Sequence, residues 1–81
     1  MGKVERNFYF QALSRGERGT MVYIAQKILN SIGYDLKEDG LFSVEMEGVV
    51  KSFQERCDSL TVDGVIDYET MKEMDELSSS F

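Results

Sequence analysis

The apolar positions of the chain fall into three helical stripes separated by glycine turns. Val22, Ala25, Ile28, Leu29 and Ile32 recur at three- and four-residue spacing, which predicts an amphipathic helix from Thr20, as N-cap, to about Ile32. Gly33 is placed to stop it, because glycine tolerates the left-handed conformation just past a helix end. Met46, Val49, Val50 and Phe53 form a second stripe. Ser43 is its expected N-cap, and Glu45 and Glu47 lie in its first turn, where acids suit the helix dipole. Thr70, Met71, Met74 and Leu77 form a third, capped by Asp67 and ending near Leu77. Gly48 interrupts the second helix at about 1 kcal/mol relative to alanine, and such a glycine predicts close passage of another helix.

The second and third stripes belong to an internal repeat. Residues Asp39–Phe53 read DGLFSVEMEGVVKSF, and the same syntax returns 24 residues later at Asp63–Leu77, DGVIDYETMKEMDEL. Asp39-Gly40 aligns with Asp63-Gly64, Leu41-Phe42 with Val65-Ile66, and Ser43 with Asp67. A repeat of this kind sets the architecture: turn, short extended piece, helix. The fold class expected is all-α, a small three-helix bundle with two Asp-Gly turn–helix repeats. The two apolar pairs are expected to make at most a tiny two-stranded contact with each other. The domain should occupy residues 13–78, after an N-terminal leader or linker over 1–12 and before a tail over 79–81. Asn7–Gln11 (NFYFQ) faintly resembles a protease-site linker, so residues 1–12 carry no functional expectation.

Composition narrows the function classes. With 81 residues, 42% hydrophobic and 30% charged, the chain is one domain's length and too apolar for disorder. It has no apolar run long enough for a bilayer, and its start lacks the apolar core of a signal peptide. The net charge of −6 is uneven: residues 1–30 carry five cations against two acids, and the remainder four against thirteen. An acidic body argues against nucleic acid, whose phosphates reward a basic face. There is no histidine and one cysteine, Cys57, so an internal disulfide, His-activated nucleophiles and the usual zinc sites are excluded. Cys57 is expected to be a half-buried, inert thiol. The 15 acids show no catalytic motif, and a bundle of this size offers no deep cleft, so no enzyme is expected.

Asp-Gly loops before helices also mark calcium sites. Counting from Asp35 puts Lys37 at the third loop position, Asp39 at the fifth, Gly40 at the sixth and Met46 at the twelfth, where calcium wants an acid. Counting from Ser59 gives Thr61, Asp63, Gly64 and Thr70 in those places, too little charge for tight binding. No metal or cofactor is expected. Asp39 and Asp63 instead read as turn formers, bonding the backbone just ahead. Gln26 and Gln54 occupy matching helix positions, where a semi-buried amide can hold loop carbonyls and N–H groups.

In register, the motifs resemble the bacterial peptidoglycan-binding domain, the three-helix module of many cell-wall hydrolases and phage endolysins. The resemblance is carried by Leu13-x-x-Gly16-x-x-Gly19-x-x-Val22-x-x-Ala25-Gln26-x-x-Leu29-x-x-x-Gly33-Tyr34, then Asp39-Gly40-Leu41-Phe42, Val50-x-x-Phe53-Gln54 and Val62-Asp63-Gly64-Val65-Ile66, with Thr70. It spans Leu13 to Leu77. The family usually has glycine at Ser43 and Asp67, threonine at Met46 and alanine at Gly48. The resemblance implies a non-catalytic module that targets an attached or partner protein to peptidoglycan, in the cell wall or delivered by phage, without nucleic-acid or membrane partners. A structural adaptor of the same fold is the alternative, and a calcium-binding dockerin or EF-hand-like module a further one. The expected contact residues are Tyr34, Tyr68 and Phe42, whose rings stack on sugars, with a core place as the alternative for Phe42, and Arg15 and Arg18, which pair with carboxylates, with solvated surface as the alternative for each.

Overall fold

Helix signals and helix ends coincide along most of the chain. In the computed structural model, which describes residues 10–79, α1 spans Thr20–Ser31, α2 Val44–Arg56 and α3 Tyr68–Ser79. Residues 1–9 of the expected leader and 80–81 of the expected tail lie outside the described residues. Ser43 Oγ accepts from Met46 N at 3.1 Å and Asp67 Oδ1 from Thr70 N at 2.9 Å, so α2 and α3 start at side-chain caps. Thr20 does not cap α1. It is the first helical residue, and Gly19, with φ +137°, stands at the N-cap without a side chain to offer. At the other end the Gly33 and Tyr34 amides donate back to the Asn30 and Leu29 carbonyls at 3.2 and 3.1 Å. This is a Schellman closure, and Gly33 at φ +117° permits it.

α1 and α3 lie side by side and run the same way. Met21 and Tyr68, near their starts, line one groove, and Ser31 and Ser78, near their ends, share a hydrogen bond of 3.0 Å. The core between the helices holds Val22, Ala25 and Leu29 of α1, Met46, Val50 and Phe53 of α2, and Met74 of α3. Leu13, Phe42 and Ile66, from the extended pieces, and Ile32, just past α1, complete it. A fully buried Phe, Leu or Met contributes about 1.5–3 kcal/mol of transfer energy, so this cluster is the main source of stability. Ile28, Val49, Met71 and Leu77, expected in the buried stripes, are only half-buried. Ile28 and Met71 border the open groove between α1 and α3, which Phe10 also lines. Gly48 is exposed, and a Cβ there would meet nothing within 4 Å, so no helix among the described residues passes it closely.

The two apolar pairs do not contact each other as strands. Each bridges instead to the segment before α1: Leu13 to Ile66 and Arg18 to Leu41, both antiparallel. The Leu13 and Ile66 amides and carbonyls exchange two bonds of 2.9 Å. Gly16 N donates to Phe42 O, Phe42 N to Glu17 O and Gly19 N to Gly40 O, all at 2.9 Å. The segment Leu13–Gly19 thus ties both turns to one end of the bundle.

Candidate functional site

The two turns are built alike around a buried amide. Gln26, 1% exposed, accepts from Gly40 N at 2.8 Å through Oε1 and donates through Nε2 to Leu41 O at 2.9 Å and Asp39 Oδ1 at 3.2 Å. Gln54, also 1% exposed, accepts from Gly64 N at 2.9 Å and Asp63 N at 3.0 Å. It donates to Val65 O at 2.9 Å, Asp63 Oδ1 at 3.1 Å and Thr70 Oγ1 at 3.1 Å. In each turn the aspartate Oδ1 also accepts, at 3.0 Å, from the amide two residues on, Leu41 or Val65. Gly40 and Gly64 both have φ +76°, a conformation glycine adopts without Cβ strain. The Leu41 amide, then the Gln26 amide, hold the Asp39 carboxyl below its ordinary pKa. Among the described residues no buried side-chain nitrogen or oxygen lacks a partner.

The expected contact residues are not brought to one place. Phe42 is 1% exposed and belongs to the core cluster. It is not available for stacking. Tyr34 follows the C-terminus of α1, half-buried, with the Arg56 guanidinium 5.7 Å over its ring and Arg56 Nη1 donating to its hydroxyl at 2.9 Å. Tyr68 begins α3 beside Phe10, their rings edge to face at 6.3 Å. The length of α1, about 18 Å for twelve residues, separates the two tyrosines. Arg15 pairs with Glu47 at 3.3 Å. The Arg18 guanidinium has no ion pair among the described residues.

Beside a hollow of about 530 Å³ where Phe10, Gln11, Leu13 and Arg18 meet the start of α1, two surface features remain. One is the apolar groove of about 430 Å³ between α1 and α3, lined by Phe10, Met21, Ile24, Ile28, Tyr68 and Met71. The other is a shallow cleft of about 540 Å³ at the first turn, formed by Arg18, Tyr23, Glu38 and Asp39 over Gly19 and Gly40. Tyr23 is 40% exposed, and Lys27 Nζ lies 5.6 Å from its ring centroid while reaching Glu38 Oε1 at 3.6 Å. Sequence reasoning did not single out Tyr23. The available signal was an aromatic residue on the polar side of the α1 stripe, next to buried Val22. Cys57 is a half-buried free thiol, and burial, then the charge of Glu73, raises its pKa. No helix among the described residues is long and apolar enough to cross a membrane.

Comparison with known proteins places these features in a family. The profile of the peptidoglycan binding domain matches residues 18–74, from Arg18 just before α1 to Met74 within α3. The chain is similar, at 34% identity over 55 residues, to the carboxy-terminal processing protease CtpA of Bacillus subtilis (strain 168), covering 68% of this chain and 12% of the protease. The SleB N-terminal domain superposes with a TM-score of 0.78 at 30% identity, covering 84% of this chain and 93% of that one. The endolysin of Burkholderia AP3 phage superposes with a TM-score of 0.74 at 26% identity, covering 79% of this chain and 24% of the endolysin. The chain therefore spans a small part of the protease and of the endolysin, and nearly all of the SleB domain.

Proposed function

This chain belongs to the peptidoglycan-binding domain family, and from that premise we propose that it is a non-catalytic module holding an attached or partner protein on bacterial peptidoglycan. The observation that carries the proposal is the extent of the family match, residues 18–74, which takes in all of α1 and α2, both Gln-anchored turns and most of α3. The similar domains form 12% of a protease and 24% of an endolysin, which supports a module working beside a catalytic domain. Tethering raises the local concentration of an insoluble substrate, so a shallow surface of modest affinity suffices. The place of action is the cell wall, reached by export of a larger protein or by phage delivery.

The test is co-sedimentation of the 81-residue chain with purified Gram-positive sacculi. Weak retention is expected, with no sugar or peptide released. Complete recovery of folded protein in the supernatant, across wall types and at low salt, overturns the reading.

A further inference from the structure

The internal repeat supplies its own control for locating a binding surface. A shift of 28 residues carries Gln26 of α1 onto Gln54 of α2, and with it Gly19 onto Glu47 and Tyr23 onto Lys51. The structure respects this correspondence. A Cβ built on Gly64 of the second turn would meet Glu47 Cγ at 2.9 Å and Lys51 Cε at 3.1 Å. A Cβ built on Gly40 of the first turn would meet Gly19 O at 3.2 Å and Tyr23 Cβ at 3.8 Å. Beside the second turn the surface is therefore filled by two flexible charged side chains. At the first turn Gly19 contributes no side chain, Tyr23 presents a ring with Lys27 Nζ 5.6 Å from its centroid on one side, and the cleft of about 540 Å³ opens there.

The charges of that cleft are unequally spent. Glu38 accepts from Asn30 Nδ2 at 2.9 Å and pairs with Lys27 at 3.6 Å. Asp39 is engaged by the Leu41 amide and Gln26. Arg18 is held by its backbone bridge to Leu41, but its guanidinium has no ion pair among the described residues. The exposed cation sits in the same cleft as an exposed tyrosine ring. A ring offers a flat face for a sugar, and a guanidinium offers a two-pronged match for a carboxylate.

Building on the wall-binding reading above, we propose that the Arg18–Tyr23 cleft at the first turn is the ligand subsite, and that it takes an amino sugar bearing a carboxylate, as a muramyl unit does. The sugar face stacks on Tyr23 and the carboxylate pairs with Arg18. The second turn, closed by Glu47 and Lys51, is the matching surface that does not bind. Tyr23 and Arg18 are exposed, so substituting them leaves the core untouched.

The experiment follows backbone amide shifts of the whole chain on titration with muramyl dipeptide, with chitotetraose, and with the stem dipeptide alone. Muramyl dipeptide is expected to shift Arg18, Gly19, Tyr23 and Gly40, and each half alone to shift them less. In sedimentation with sacculi, Tyr23→Lys, which copies the second repeat, and Arg18→Gln are each expected to lower retention about five- to tenfold with unchanged Tm. Lys51→Ala at the second turn is expected to leave retention as it was. Wild-type retention together with undiminished retention of Tyr23→Lys and Arg18→Gln overturns the subsite and leaves wall binding standing. Shifts confined to other residues do the same. Equal shifts with chitotetraose and muramyl dipeptide overturn the carboxylate requirement. Failure of the wild-type chain to sediment overturns wall binding itself.

Discussion

Met46 Sδ lies 3.7 Å from Gln26 Nε2, in the place where Thr70 Oγ1 stands 3.1 Å from Gln54 Nε2. The two repeats thus differ at this corner, and in the extra bond that Gln54 Oε1 accepts from Asp63 N, within an otherwise shared hydrogen-bond box. A thioether is a weak acceptor and a hydroxyl a good one, so the second box is the better satisfied. Both amides are buried, and an unmade bond at such a site costs more than a made one contributes.

This asymmetry gives the first prediction. Thr70→Val keeps shape and removes the acceptor, and should destabilise by about 0.5–1.5 kcal/mol in urea unfolding. Met46→Leu conserves volume and removes only a weak acceptor, and should cost less than about 1.5 kcal/mol, mostly packing. Gln26→Leu and Gln54→Leu strand a glycine amide and a carbonyl beneath each turn, and should each cost about 2–4 kcal/mol. Equal midpoints for Gln54→Leu and wild type would show that the amide does not anchor the turn.

The turn glycines give the second. Gly40→Ala forces a Cβ into a positive-φ position and 3.2 Å from the Gly19 carbonyl, which is backbone and cannot swing away. A cost of about 1–3 kcal/mol is expected. Gly64→Ala meets Glu47 and Lys51 side chains, and Glu47 can move only by leaving Arg15. Its cost should therefore fall in the Arg15→Ala background by a few tenths of a kcal/mol, the scale of an exposed ion pair.

The helices and their core were legible because the apolar stripes kept a helical period through most of α1, α2 and α3. The two turns were legible because Asp-Gly repeats in register. What was hidden depended on contacts between distant segments. Leu13 and Ile66 are far apart in sequence, and nothing local to either says that they exchange backbone bonds. Asn30 carries no motif or apolar signal, yet it accepts from and donates to Leu36, at 2.7 and 2.8 Å, and holds the loop after the helix. Tyr23 was hidden for the opposite reason. An exposed aromatic residue leaves no periodic trace, and only the second repeat, with Lys51 in its place, sets it apart.

Gly48 offers a third prediction, in the stabilising direction. It is exposed in mid-helix with open space where a Cβ would sit. Gly48→Ala should raise stability by about 0.5–1 kcal/mol, through helix propensity and a less flexible unfolded chain. A lower melting temperature for this variant would mean that the helix surface there is covered after all.

Acid should act partly through Asp39. Hydrogen bonds from the Leu41 amide and from Gln26 favour the ionised carboxylate, so its folded pKa lies below the unfolded one. The stabilisation is fully present above the unfolded value, about pH 4, and is lost as pH falls through the folded value. Asp39→Asn keeps the accepting oxygen of the turn but cannot titrate. Its urea midpoint should decline less steeply than that of wild type below about pH 4. Parallel acid limbs for the two proteins would remove Asp39 from the acid response.

Tyr34 gives the last prediction, which separates anchoring from wall contact. Its hydroxyl is already engaged by Arg56 at 2.9 Å, and the guanidinium occupies space over the ring. The residue also follows Gly33 in the Schellman closure of α1, where its side chain packs against the core. Tyr34→Phe keeps the ring and the packing, and loses one partly exposed hydrogen bond. It should cost less than about 1 kcal/mol and leave sedimentation with sacculi unchanged. Tyr34→Ala removes the packing as well and should cost about 1–3 kcal/mol in unfolding, again with unchanged retention per folded molecule. Arg56→Ala should resemble Tyr34→Phe, and the double variant should cost less than the sum of the two, since both remove the same bond. Loss of sacculus binding by Tyr34→Phe at full stability would show that the hydroxyl meets the wall directly, and would move the contact surface to the far end of the bundle from Tyr23.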